Sequence, residues 1–255
     1  MHPVEIDIHE EFPRLSKAPI AEAALEIRAR AMGDWNEAGI SEALRTQLTE
    51  YPHQKGRNIF QGEFSVAPGK QPRHELEDLG WGGVVARSED KKQVAFFERD
   101  RFLFSRLEPY TRWDAFQAEA LRLWDIHRAL ARPMTLQRIG IRFVNRIPLP
   151  LGNVRLEDYL RFVPNTPAEF PAIFTGFLHQ DTMTVPGHDY DVSITRATQV
   201  TGSTAWTLIV DVDVFTKTPY SAEDADLEGR LQEMRWLKNK AFFGSVADKL
   251  KEEFR

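Results

Sequence analysis

The chain has 255 residues, 42% hydrophobic and 28% charged, with a formal net charge of −5. That is ordinary globular usage, enough for one large domain or two small ones. There is no cysteine, which excludes disulfides, thiolate nucleophiles, zinc ribbons and iron–sulfur ligation, and the acidic balance opposes nucleic-acid binding driven by overall charge.

The opening MHPVEIDIHEEF has neither a basic n-region nor an apolar h-region, so no secretory signal is expected. No run approaches the ~18 apolar residues of a membrane span. A cytoplasmic protein without a membrane role is the expectation. Residues 1–17 read as a polar arm. Leu25 and Ile27 then alternate with Glu26 and Arg28, a half-buried strand pattern. Ile40, Leu44 and Leu48 mark an amphipathic helix over 36–51, with Ser41 as a cap. Residues 59–66 read as a strand and the Pro- and Gly-bearing 67–80 as a loop. Residues 83–87, 93–98 and 102–107 read as extended runs, with a hairpin turn at 89–92. Thr111 is expected to cap a helix over 111–130 whose apolar face carries Phe116, Ala120, Leu123 and Trp124. Arg132-Pro133 ends it.

The second half repeats the order. Residues 138–149 read as a strand and 156–162 as a short helix. Residues 173–185 and 190–200 read as extended, around a Pro186-Gly187 turn. Residues 204–215 form a long strand. Residues 227–243 and 246–254 are helical, divided at Gly244. The stretches 102–116 and 208–224 also echo each other. The expected fold class is α+β: two similar β-α-β(3-4)-α halves, 18–133 and 134–255, in one compact unit. A curved antiparallel sheet with helices on one face resembles the tandem plan of TATA-binding-protein-like folds, a likeness that carries no function by itself.

The chain has no Walker loop, no dinucleotide-binding glycine motif, no nucleophile elbow and no His-Glu-x-x-His. His179, Asp181, His188, Asp189 and Asp191 gather in sequence around one turn and read as polar hairpin surface. No metal site and no cofactor is expected. The informative pattern is charge on one strand face. Arg138, Arg142 and Arg146 are spaced by four, so all three share a face, opposite Ile139, Ile141, Phe143 and Asn145. Arg28 follows the same logic, as do Asp211 and Asp213 opposite Val210, Val212 and Val214. Arg106 is placed on this open face too, together with Phe102, Phe104 and Phe215. Arginine forks suit carboxylate or phosphate. The alternative is a solvated face in which Arg and Asp pair across strands. Glu22, Glu26 and Arg28 faintly echo the charged strands of triphosphate-tunnel enzymes. Trp113, Phe116 and Trp124 read as helix core, and Lys238-Asn239-Lys240 as a solvated helix edge.

Several blocks together resemble a sporadically distributed, uncharacterised prokaryotic protein family of about 250 residues. They are Pro19–Ala23 with Glu26-Ile27-Arg28, Ser105–Tyr110 with Trp113 and Phe116, Arg138–Ile147, Asp211-Val-Asp213, and Leu237–Phe242. The resemblance spans the chain from about residue 18 onward, with departures at Ala29 and Phe143. It implies no activity. Patchy occurrence of that kind suggests a partner protein in a toxin–antitoxin or defence system. The combined expectation is a non-enzymatic binding or regulatory module that holds a protein partner or an anionic ligand through Arg28, Arg106, Arg142, Arg146, Asp211 and Asp213. Two alternatives stand beside it. One is a metal-dependent nuclease or triphosphatase using Glu26, Asp211 and Asp213. The other is nucleic-acid binding through the sheet face, not favoured by the charge. Open sheet edges leave room for a homodimer.

Overall fold

The computed structural model describes residues 2–65, 73–150, 154–162, 175–201, 205–223 and 226–255. In chain order the first half contains β1 (Ile20–Ala29), α1 (Glu37–Gln47), β2 (His53–Ser65), β3 (Arg73–Arg87), β4 (Gln93–Glu98), β5 (Arg101–Leu107) and α2 (Trp113–Ala131). The second contains β6 (Thr135–Pro148), a 3-10 turn at Leu156–Asp158, β7 (Leu178–Thr184), β8 (Tyr190–Thr201), β9 (Ala205–Thr216), β10 (Tyr220–Ser221), α3 (Leu227–Ser245) and α4 (Asp248–Glu253). The fold is α+β, as expected.

All the strands join one antiparallel, ten-stranded sheet in the order β2-β3-β4-β5-β1-β6-β9-β8-β7, with β10 paired to β6. The central seam is β1 against β6, where Glu26 faces Gly140 and Ala24 faces Arg142. Moving outward from β1 the chain meets β5, β4, β3 and β2; moving outward from β6 it meets β9, β8 and β7. Each half therefore pairs its first strand with a later one and works back toward the edge. No described helix is long and apolar enough to cross a membrane.

Period-two alternation sets which side is covered. Leu25, Ile27, Phe102, Phe104, Ile139, Ile141, Phe143, Val210, Val212 and Val214 are all 1% exposed or less and form one core with the helices. Side chains of this size contribute roughly 1.5–3 kcal/mol each when fully buried. α2 presents Phe116, Ala120, Leu123, Trp124 and His127 to that core, the stripe its sequence implies.

Several boundaries differ from the sequence reading. Asn36, not Ser41, caps α1, its Oδ1 accepting from the Gly39 N–H at 2.8 Å. α2 starts at Trp113 with no capping side chain, so Thr111 does not serve. β3 begins at Arg73, inside the expected 67–80 loop, because β2 and β3 extend their pairing out to Ser65 and Arg73; residues 66–72 lie outside those described. Farther along β3, Gly83 lets that strand approach β4 closely, since a Cβ there would sit 2.1 Å from the Phe97 carbonyl oxygen. The helix expected at 156–162 is a single 3-10 turn, because Leu160 instead bridges Val246. Of the extended run expected at 173–185, β7 supplies 178–184, and 163–174 lie outside the described residues. α3 runs through Gly244 and breaks at Val246-Ala247, where the chain is extended.

His127 is a buried titratable group within this core. It is fully buried, stacked on Trp124 at 5.4 Å and near Phe97, Phe102 and Trp35. Its Nε2 lies 2.8 Å from the Glu98 carbonyl oxygen and donates to it, while Nδ1 has no partner among the described residues. Burial pushes its pKa down to about 4, against the smaller opposing effect of that hydrogen bond. A depressed pKa means the unfolded chain takes the proton first, so stability falls as pH drops from ~6.5 toward 4 and levels off below, by about 3 kcal/mol. Denaturant titrations across that window should show the slope, and His127→Gln should flatten it.

Candidate functional site

The open face of the sheet carries the charges expected of it, and they are paired with one another. On β6 the alternation puts Arg138, Gly140, Arg142, Val144 and Arg146 on this face. Each paired arginine leans along the strand to a diagonal neighbour. Arg138 reaches Glu26 of β1 (Nη1–Oε2, 2.5 Å) and Asp213 of β9 (Nη2–Oδ2, 2.8 Å). Its guanidinium lies 4.6 Å from the Phe215 ring centroid. It folds back over Gly140, where a Cβ would come within 2.6 Å of Nη1. Arg142 takes both oxygens of Asp211, with Nε at 3.0 Å from each and Nη2 at 2.6 Å from Oδ2.

The lattice continues into the first half. Arg28 lies 3.2 Å from Glu26, and Arg101 lies 3.7 Å from Glu26 and 3.4 Å from Glu98. Arg57 reaches Glu98 at 2.5 Å. Ser105 donates to Glu22 at 2.6 Å. The Arg142–Asp211 pair is unequally exposed: the side chain of Asp211 is 11% exposed and that of Arg142 59%. Burial raises the Asp213 pKa, with Arg138 and Arg142 pulling the other way. The hydrogen bonds to Asp211 raise that of Arg142. Arg146 is exposed, and its side chain has no partner among the described residues.

Arg106 is a correction. It pairs in register with Ala23, which is wholly buried on the helix side, so it belongs to the opposite face. It shares the parity of Phe102 and Phe104, and both of those rings lie in the core rather than on the open face. Arg106 donates to the Pro109 carbonyl at 3.3 Å and lies 3.9 Å from Asp90. Arg101 is the β5 residue that joins the lattice, and the parity of its buried phenylalanine neighbours was the signal for it. Phe215 alone of the three phenylalanines faces outward.

The polar group around the Pro186-Gly187 turn disperses. His179 contacts Asp181 at 2.9 Å, Asp181 also takes Arg196 at 2.9 Å, His188 contacts the Val4 carbonyl at 2.7 Å, and Asp189 accepts from Thr218 and Tyr220. Among the described residues no three His, Asp or Glu side chains gather to hold a metal. Glu26 and Asp213 are separated by the Arg138 guanidinium, and Asp211 is occupied by Arg142.

No protein-family model matches the chain, and no curated protein matches it. Among solved structures, the chain is similar at 12% identity to the di-domain ARO/CYC StfQ from the steffimycin biosynthetic pathway. The comparison covers 91% of this chain and 97% of that one, with a TM-score of 0.14, too low to support any argument.

The unequal exposure of the Arg142–Asp211 pair gives a directional test. Arg142→Ala strands a nearly buried carboxylate and should cost about 1–3 kcal/mol. Asp211→Ala frees an arginine that already reaches water and should cost less than about 1 kcal/mol. Urea unfolding of the two variants measures both.

Proposed function

We propose that the chain is a non-enzymatic binding or regulatory module of the cytoplasm that holds a protein partner on the open face of its sheet. The observation that carries the reading is the self-neutralised lattice on a face that no described helix covers. Arginines already bound to Asp211, Asp213 and Glu26 are poorly placed to take a free anion, so the reading narrows from an anionic ligand to a protein surface. A fixed lattice of alternating charge selects a complementary polar surface more than it adds raw affinity. The exposed cations at its ends add attraction: Arg146 has no acid among the described residues, and Arg28 shares Glu26 with Arg138 and Arg101.

The matched strand order of the two halves supports an internal duplication, a β-α-β-meander-α unit used twice in a TATA-binding-protein-like tandem. In that plan the open face is continuous across the β1–β6 seam, and a partner can span both halves. The patchy occurrence of the family that the chain resembles suggests a toxin–antitoxin or defence setting for such a partner.

The test is affinity purification of the tagged chain from its host, read by mass spectrometry and nucleic-acid staining. One stoichiometric protein is expected, released by Arg28→Glu with Arg146→Glu while thermal unfolding stays unchanged. Retention of the same protein by the double variant contradicts the reading. Co-purified nucleic acid with a steep salt dependence replaces it.

A further inference from the structure

The opposite side of the molecule holds cations that no acid among the described residues neutralises. Residues 2–19 form no helix or strand but lie along the second half. Phe12 stacks on Phe243 at 5.7 Å, Glu10 accepts from Trp236 Nε1 at 2.7 Å and from Lys240 at 2.6 Å, and the Lys17 N–H donates to the Phe254 carbonyl at 3.2 Å. Between this arm, the start of α2 and the face of α3 lies a cavity of about 940 Å³ floored by Phe143 and Asn145 of β6. Cavities of roughly 300–1,000 Å³ are the size that takes small molecules.

Its walls are mixed, and Trp113, Phe143, Trp236 and Phe242 supply aromatic surface among polar and charged side chains. Into it project Lys238 and Arg235, one turn apart on α3. Lys238 Nζ sits 4.3 Å from the Phe143 ring centroid, and Arg235 lies 5.7 Å from that of Trp113. Neither forms an ion pair among the described residues, whereas Lys240 on the next position but one takes Glu10. Among the described residues, the only hydrogen bond of the Lys238 ammonium is to the Asn239 side chain, at 2.5 Å. Glu10 is committed to Lys240 and Trp236; Glu11 and Asp114 also line the cavity, and neither pairs with Lys238 or Arg235. Burial, and then the like charge of Arg235, push the Lys238 pKa down to about 7. Two cations left unpaired beside each other on aromatic walls are costly unless an anion completes them.

We propose that this cavity binds a small organic acid with an aromatic body, its carboxylate held by Lys238 and Arg235 and its rings against Phe143, Trp113 and Trp236. The site is separate from the sheet face and does not depend on the partner reading. The carboxylate supplies the missing counter-charge, and the flat body fits walls that already stack cations. The arm forms one wall, so the site exists only when residues 8–20 are docked.

Isothermal titration of the full chain with 1-naphthoate tests this, with 1-naphthamide as the neutral comparator of equal shape. Saturable one-site binding of naphthoate is expected, with naphthamide at least tenfold weaker. Lys238→Met should reduce naphthoate affinity at least tenfold and leave naphthamide unchanged, and Arg235→Gln should do the same in lesser degree. Arg146→Gln, on the far face, should change neither. Lys238→Met removes an unpaired cation and should unfold at no lower temperature than the parent. Equal affinity for the two probes, no saturable naphthoate binding, or an equal loss of both probes in Lys238→Met would overturn the proposal.

Discussion

Arg138 stands where the sheet is joined. Its guanidinium bridges Glu26 on β1 and Asp213 on β9, so one side chain on β6 ties three successive strands and both halves of the chain. It can do so because the next residue on its face is Gly140, over which the side chain lies flat against Phe215. The same alternation that sends Arg138 to one side sends Ile139 and Ile141 to the other, where they are fully buried. The apolar face requires helices over it; the charged face requires its own members to neutralise one another.

That division leaves the molecule with two surfaces of opposite electrostatic character. On the sheet face nearly every arginine has an acid; at the ends, Arg28 shares Glu26 with Arg138 and Arg101, and Arg146 has no partner among the described residues. Under the N-terminal arm the balance is reversed: Lys238 and Arg235 have aromatic neighbours and no acid within salt-bridge reach among the described residues. A paired lattice suits a large polar surface, while an unpaired pair of cations in an aromatic chamber suits a compact anion. The two readings follow from one criterion, whether a charge already has its partner.

Much of this was legible in the sequence. Spacing by two and four gave the faces of β6 and β9 correctly, because a strand with one buried side allows no slip in parity. The same rule misplaced Arg106 only because Phe102 and Phe104 were assigned outward with it; two adjacent phenylalanines of one parity belong with the core. The 67–80 stretch was read as a loop because its polar residues and its Pro and Gly gave no apolar period, yet β3 begins at Arg73. Pairing between two polar strands leaves no hydrophobic trace. Lys238 was read as a solvated helix edge, since its neighbours Asn239 and Lys240 are polar. Its burial comes from the arm and from Phe143, both remote in sequence, so no local pattern could report it. The lattice partners were likewise invisible: alternation assigns a face, but only register tells which acid meets which arginine.

The central claim is that Arg138 reaches both acids only because residue 140 lacks a side chain. A double-mutant cycle in denaturant unfolding between Gly140→Ala and Arg138→Met tests it most directly. The account predicts that Gly140→Ala destabilises the parent by about 1 kcal/mol or more and costs nothing once Arg138 is methionine, a coupling within the usual range for contacting residues. An equal cost of Gly140→Ala in both backgrounds would show that the glycine serves the strand alone and that the bridge across the seam does not depend on it.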